Sequence, residues 1–182
     1  PGYENGGAIA AVDNAYQNRG KKYQYGDWDC SMYLSQVYAG MRGLPPGRYF
    51  NTESDFESMG FKRGYKAGAL NIGIRRGGGG PNSHMAGTLP NGVNIENSGG
   101  GGSMYGGDAA GAQDFPLQYY YEPDVSGDMG ELQARAAAGD QNAAMLLSSQ
   151  SGNGVGTATS GGLGSASSGR TEGYAPSGAQ NS

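Results

Sequence analysis

Glycine limits what this chain can fold into more than any other residue, because of where it falls. There are 37 glycines in 182 residues, and many lie late in the chain. From Ser151 onward the sequence is almost wholly Gly, Ser, Ala, Thr and Asn. Such a segment has almost no side chains to bury, so it cannot offset the entropy of ordering its backbone. A packed core must therefore sit in the first two thirds, and residues 151–182 read as a Gly/Ser-rich flexible tail. Between them, Glu131–Ser149 carries helix formers interrupted at Gly139-Asp140. Its apolar face is weak, which predicts one or two modest helices that fray or pack on a partner. The expected organisation is a compact domain over 1–123, a weakly helical linker over 124–150, and the tail. The chain opens on Pro1, with neither an initiator Met nor a signal peptide, as expected of a mature product or a piece of a longer polypeptide.

Within the compact region, Ala8 to Asn18 has helical spacing, with Ile9, Val12 and Tyr16 on one stripe. Asp29 is a good helix N-cap, and Cys30 opens a second helix whose apolar positions are Tyr33, Leu34, Val37 and Met41. Gly43-Leu44-Pro45-Pro46 stops that helix. A short helix is predicted over Asn51–Met59. Strands are predicted over Ala69–Arg75, His84–Leu89, Val93–Asn97 and Gln118–Glu122. Pro90-Asn91-Gly92 is a turn signal joining the second and third, which makes a hairpin. The fold class is therefore α+β, with the helix that bears Cys30 packed on a small antiparallel sheet.

Net charge is −4, and no long Lys/Arg run is present. That argues against a nucleic-acid partner or an anionic lipid surface, both of which need clustered positive charge. No apolar run approaches the roughly 20 residues needed to span a bilayer. One cysteine excludes an intrachain disulfide, and one Cys with one His does not make a closed metal site. Neither a metal nor another cofactor is expected.

The lone Cys and lone His instead suggest nucleophilic catalysis. Cys30 falls in the first turn of a helix, where unpaired N–H groups and the helix dipole favour a thiolate. The same N–H groups, with Ser31 or a nearby Tyr, can hold the oxyanion formed during acyl transfer. The Asp29-Cys30-Ser31 sequence is too polar for a plain core segment. His84 opens a strand after a glycine-rich loop and is the one available base. A third group should orient its ring. If Pro90-Asn91-Gly92 is a three-residue loop, His84 lies opposite Ser98, and Glu96 is its diagonal neighbour on the same face. A two-residue loop would bring Asn97 or Gly99 to that face. Glu96 is the preferred orienter and Asn97 the reserve. Arg75 or Arg76 could pair with a substrate carboxylate, and a solvated strand end is an equal reading of either.

Tyr23-Gln24-Tyr25-Gly26, Asp29-Cys30-Ser31 and Ser83-His84-Met85-Ala86-Gly87 together resemble the NlpC-type cell-wall cysteine peptidases, over roughly Ala8 to Tyr121. That family has a Tyr-x-x-Gly segment, then Asp-Cys-Ser-Gly-Phe at a helix N-terminus, then His-Val-Gly on a strand. A polar residue twelve positions after the His completes its site, and here that position is Glu96. The family's oxyanion-assisting Tyr falls on Tyr23. Departures are Met32-Tyr33 in place of Gly-Phe, a short loop before Cys30, and Glu96 in place of the commoner His. The stretch Asn71–Leu89 looks more narrowly like versions in actinobacteriophage tail (tape-measure) proteins. The resemblance implies a papain-like fold and a cysteine endopeptidase cutting the peptidoglycan stem peptide, typically between D-glutamate and the diamino acid. It further implies a virion tail acting at the bacterial cell wall during genome entry, with residues 124–182 meeting other tail proteins. The alternative is a non-enzymatic structural component of a phage tail or cell-surface assembly that retains the fold.

Overall fold

The computed structural model describes residues 6–123 and 129–154. The tail beyond residue 154 and the segment 124–128 lie outside the described residues. Among the described residues the architecture is α+β: four α-helices and a six-stranded antiparallel sheet. Among the described residues, no helix is long and apolar enough to cross a membrane.

Helix α1 (Gly7–Gln17) buries its alanines, Ile9 and Val12. Helix α2 (Cys30–Arg42) begins where the Asp29 side chain accepts the Met32 N–H at 3.0 Å. It ends at Gly43, whose left-handed backbone (φ 67°) lets its N–H reach back to the last carbonyls. The two helices pack closely: a side chain at Gly40 would come within 3.3 Å of the Ala10 carbonyl oxygen. The buried Tyr33 hydroxyl donates to the Ala15 carbonyl at 2.8 Å, which ties α2 to the end of α1.

The strands are β1 (Lys62–Arg63), β2 (Leu70–Arg75), β3 (His84–Thr88), β4 (Asn94–Ser98), β5 (Gly102–Tyr105) and β6 (Leu117–Tyr121). Their order across the sheet is β1-β6-β2-β3-β4-β5. Alternation divides the side chains between two faces. Ile72, Ile74, Met85 and Ile95 share a core with Leu34 and Val37 of α2. Gly87 is required there, because a Cβ would sit 2.8 Å from Leu34 Cδ2. Phe50, Phe56, Phe61 and Tyr119 extend the same core as a cluster of rings. The other face is covered by the segment around Ala112, whose N–H donates to Thr88 Oγ1 at 3.0 Å.

The β3–β4 connection is the three-residue loop. Leu89 N–H donates to the Val93 carbonyl at 2.9 Å, and Ala86 pairs with Glu96. Asn91 Oδ1 accepts the Val93 N–H, and Gly92 takes φ 87°, as a tight loop requires.

Two features differ from expectation. Asn51–Met59 is mostly turn, with only a 3₁₀ turn at Glu57–Met59. Here Asn51 Oδ1 accepts the Glu53 N–H and Asp55 Oδ1 the Ser58 N–H, so side chains compete with a helix for the backbone donors. Strands β1 and β5 carry no sequence signal that singled them out. Of the two outcomes expected for residues 131–149, helices α3 (Met129–Ala137) and α4 (Gln141–Gly154) show packing, and the partner is the chain itself. Leu132, Ala143 and Leu146 bury against Ala8 and Ile9, and Arg135 grips Asp13 with two hydrogen bonds of 3.0 Å. The described residues up to Ser149 fall in one compact unit with the sheet.

Candidate active site

The loop before α2 hangs on the free edge of β5. Gly20 N–H donates to the Ser103 carbonyl (2.7 Å), and Ser103 N–H returns a bond to Lys21 (2.9 Å). Trp28 Nε1 donates to Ser103 Oγ at 2.7 Å, and Asn97 Nδ2 donates to the Trp28 carbonyl at 2.8 Å. These bonds fix the chain just before Asp29 and Cys30. Asn97, the reserve orienter, is therefore occupied holding this loop and does not meet His84.

Asp29 is the hub of the helix start. Besides Met32 N–H, its carboxylate accepts from Ser31 Oγ (3.0 Å), Gly26 N–H (3.1 Å) and Arg48. Arg48 was not singled out in the sequence. Its Nη1 lies 2.9 Å from Asp29 Oδ1 and also donates to Ser31 Oγ. Its Nη2 reaches the carbonyls of Gly26 and Asp27. Burial alone would raise the Asp29 pKa, but the Arg48, Met32 and Ser31 hydrogen bonds outweigh it and hold the carboxyl below its usual range. The Ser31 hydroxyl is spent between Asp29 and Arg48, so only the backbone N–H of Ser31 could serve an oxyanion.

Cys30 is a free thiol, 9% exposed, at the first position of α2. Its pKa is raised, mainly by burial and further by the nearby Asp29 charge, against hydrogen bonds from the backbone of Met85, Ser31 and Cys30 itself. Placement at the helix N-terminus thus does not by itself yield a resting thiolate. The Met85 backbone contact puts the sulfur beside the start of β3, next in sequence to His84. No hydrogen bond joins the thiol to the imidazole.

His84 and Glu96 are brought together. His84 Nε2 lies 2.7 Å from Glu96 Oε1 across the β3–β4 hairpin. The second oxygen, Oε2, accepts the Ala110 N–H at 2.9 Å, which locks the carboxylate in place. Phe115 packs against the ring, with centroids 5.8 Å apart. With Nε2 engaged, Nδ1 has no hydrogen-bond partner among the described residues.

Two clefts adjoin at this point. One, of about 460 Å³, is lined by Cys30, Ser31, Arg48 and the Gly78–Gly80 loop. The other, of about 660 Å³, is lined by His84, Arg75, Pro81 and Ser98. Tyr23, Tyr25, Gly80 and Ser83 line both. Burial and the neighbouring Cys30 push the Tyr23 phenol pKa up, so it is a neutral donor. Its hydroxyl makes no hydrogen bond to another described residue. The glycine loop is shaped by Ser83 Oγ, which accepts from Gly77 and Gly79 N–H, and by Glu53, which accepts from Gly78 N–H. Arg76 lines neither cleft and donates to the carbonyls of Thr52 (3.0 Å) and Ser54 (2.7 Å).

No protein-family model matches this chain, and no curated protein does.

Proposed function

We propose that this chain is a cysteine endopeptidase of papain-like, NlpC type that hydrolyses the stem peptide of peptidoglycan. The observation that carries the proposal is the His84–Glu96 pair. Its 2.7 Å bond engages Nε2 and leaves Nδ1 for the thiol at the start of α2. An imidazole held in one tautomer by a carboxylate is the arrangement that general-base catalysis needs.

In this reading Cys30 Sγ attacks the peptide carbonyl while His84 Nδ1 takes the thiol proton. The oxyanion that forms is met by the Tyr23 hydroxyl and by backbone N–H groups at the start of α2. Imidazolium then protonates the departing amine as the C–N bond breaks, leaving a thioester. Water attacks the thioester, giving one proton to His84, and the sulfur departs to recover that proton. Burial of the thiol makes the proton transfer to His84 part of the attack rather than a step completed beforehand. The raised thiol and the lack of a direct bond to the ring favour one further reading, a structural component of a phage tail or cell-surface assembly. For the enzyme, a phage tail acting locally on the cell wall during genome entry is the setting we infer.

The deciding experiment incubates purified peptidoglycan with the chain and with Cys30→Ala, followed by mass spectrometry of released fragments. Fragments from the unaltered chain alone are expected, and their ends identify the bond. Equal fragments from both would overturn Cys30 as the nucleophile, and none from either folded protein would give preference to the structural reading.

A further inference from the structure

Tyr25 stands at the mouth of both clefts with 74% of its surface exposed. Its ring stacks on no other ring, and its hydroxyl makes no hydrogen bond to another described residue. The turn that carries it is nonetheless pinned. Gln24 N–H donates to the Trp28 carbonyl (2.9 Å), and Asp27 N–H donates to the Gln24 carbonyl (3.0 Å). Gly26 N–H donates to Asp29, and Arg48 Nη2 donates to the carbonyls of Gly26 and Asp27. A fixed turn thus holds a bare aromatic ring at the rim of a concave site. Little ordering is left to be done when a ligand covers that ring.

The Cys30 cleft beside Tyr25 distinguishes what that ligand is. Its volume of about 460 Å³ lies within the usual range for small-ligand sites. No aliphatic residue and no Phe lines it, so an apolar side chain would find only tyrosine rings to bury against. The unpaired polar atoms on its wall are of both kinds. Asn51 Oδ1 accepts the Glu53 N–H, which leaves Asn51 Nδ2 as a free donor. Glu53 Oε1 accepts the Gly78 N–H and the Ser83 hydroxyl, which leaves Oε2 as a free acceptor. An ammonium group would pair with Glu53 but offers Asn51 no acceptor. A sugar ring meets all three groups. Its C–H face suits the electron-rich face of Tyr25, and its hydroxyls both donate and accept.

We propose that the Cys30 cleft contains a saccharide subsite in which Tyr25 is the stacking platform and Asn51 and Glu53 hold ring hydroxyls. The ligand class is an uncharged pyranose. This goes beyond the peptidase reading, because hydrolysis of a peptide bond needs no contact with a sugar.

The test titrates the full chain with tri-N-acetylchitotriose and follows its backbone amides by nitrogen–proton correlation NMR. Two comparison probes, a leucyl peptide and a lysyl peptide with blocked ends, represent the apolar and the cationic ligand. The saccharide is expected to bind with a Kd of about 1 mM or lower. The amides of Gly26 and Gly78–Gly80, which line the cleft, should shift on binding. Tyr25→Ala should weaken binding about tenfold, and Tyr25→Phe, which keeps the ring, by no more than about twofold. Both variants should keep the unfolding midpoint of the unaltered chain, since this side chain is exposed. No shift at those amides, saccharide binding that Tyr25→Ala leaves intact, or tighter Tyr25-dependent binding of either peptide overturns the proposal. The saccharide carries no stem peptide, so the outcome is independent of whether Cys30 cleaves one.

Discussion

Among single residues, Glu96 and Arg48 are the two whose loss should be most informative, for opposite reasons. Glu96 acts through His84, so Glu96→Ala should lower kcat by about 10²-fold while KM changes little, within the range attributed to a positioned acid–base group. Glu96→Gln keeps a hydrogen-bonding side chain there and should recover part of the rate; steady-state kinetics on a stem-peptide substrate checks both. Arg48 should register in stability. Removing it leaves the largely buried Asp29 carboxylate without its cation, at a cost of about 2 kcal/mol. Urea denaturation of Arg48→Ala measures this. The same pair sets an acid limit. Because the folded-state pKa of Asp29 is depressed, its stabilisation is present above the ordinary value of 3.8 and disappears as pH falls through the lower, folded value. The urea midpoint should therefore drop below about pH 4, and Asp29→Asn should flatten part of that slope. At this scale the sequence was partly legible. Asp29 as cap and Glu96 as neighbour of His84 follow from local rules of spacing. Arg48 does not, because an arginine in a Pro/Gly loop 19 positions after Asp29 has no periodicity that points back to it.

At the scale of elements, the β3–β4 hairpin is the part that places the candidate base. Its three-residue loop sets the register, and a shift of one residue would turn Glu96 to the far face and present Asn97 instead. Inserting one glycine after Asn91 should accordingly remove activity with little change in far-UV circular dichroism. The cover over the second face is equally exacting. A Cβ at Gly73 would lie 2.3 Å from the Ala112 carbonyl oxygen, so the segment around Ala112 must move to admit it. That segment also carries the Ala110 N–H that holds Glu96. Gly73→Ala should thus cost about 1–3 kcal/mol, as overpacking does, and slow catalysis as well; thermal unfolding and kinetics on one preparation would test the link. Strands β2, β4 and β6 were legible because β-branched and aromatic residues fall near turn signals, and β3 because the Pro90-Asn91-Gly92 turn pairs it with β4. Strand β5, Gly-Ser-Met-Tyr, was not, since what makes it a strand is pairing with β4 and with residues near Lys21.

Across the whole molecule, the C-terminal helices are the part whose packing was hardest to foresee. Their apolar residues are few, and read alone they suggest a linker in search of a partner. The partner is α1 of the same chain, and nothing in the local pattern of residues 129–148 reveals this, because Leu132 and Leu146 find Ile9 over a long sequence separation. Leu132 is fully buried, so Leu132→Ala should destabilise the unit by about 2–3 kcal/mol, toward the lower end of core truncations. A fragment ending at residue 123 would expose Ala8 and Ile9 and should unfold at lower denaturant than one ending at residue 149.

The two margins of the sheet have a consequence for life at high local concentration. An open strand margin is a template on which another molecule's backbone can add. One margin is β1, only two residues long, with Lys62 and Arg63 both exposed, so an incoming strand meets adjacent positive charges. The other is β5, already partnered by the chain near Gly20 and Lys21. Neither side invites strand addition, so many copies held close together can remain separate molecules rather than join into a continuous sheet.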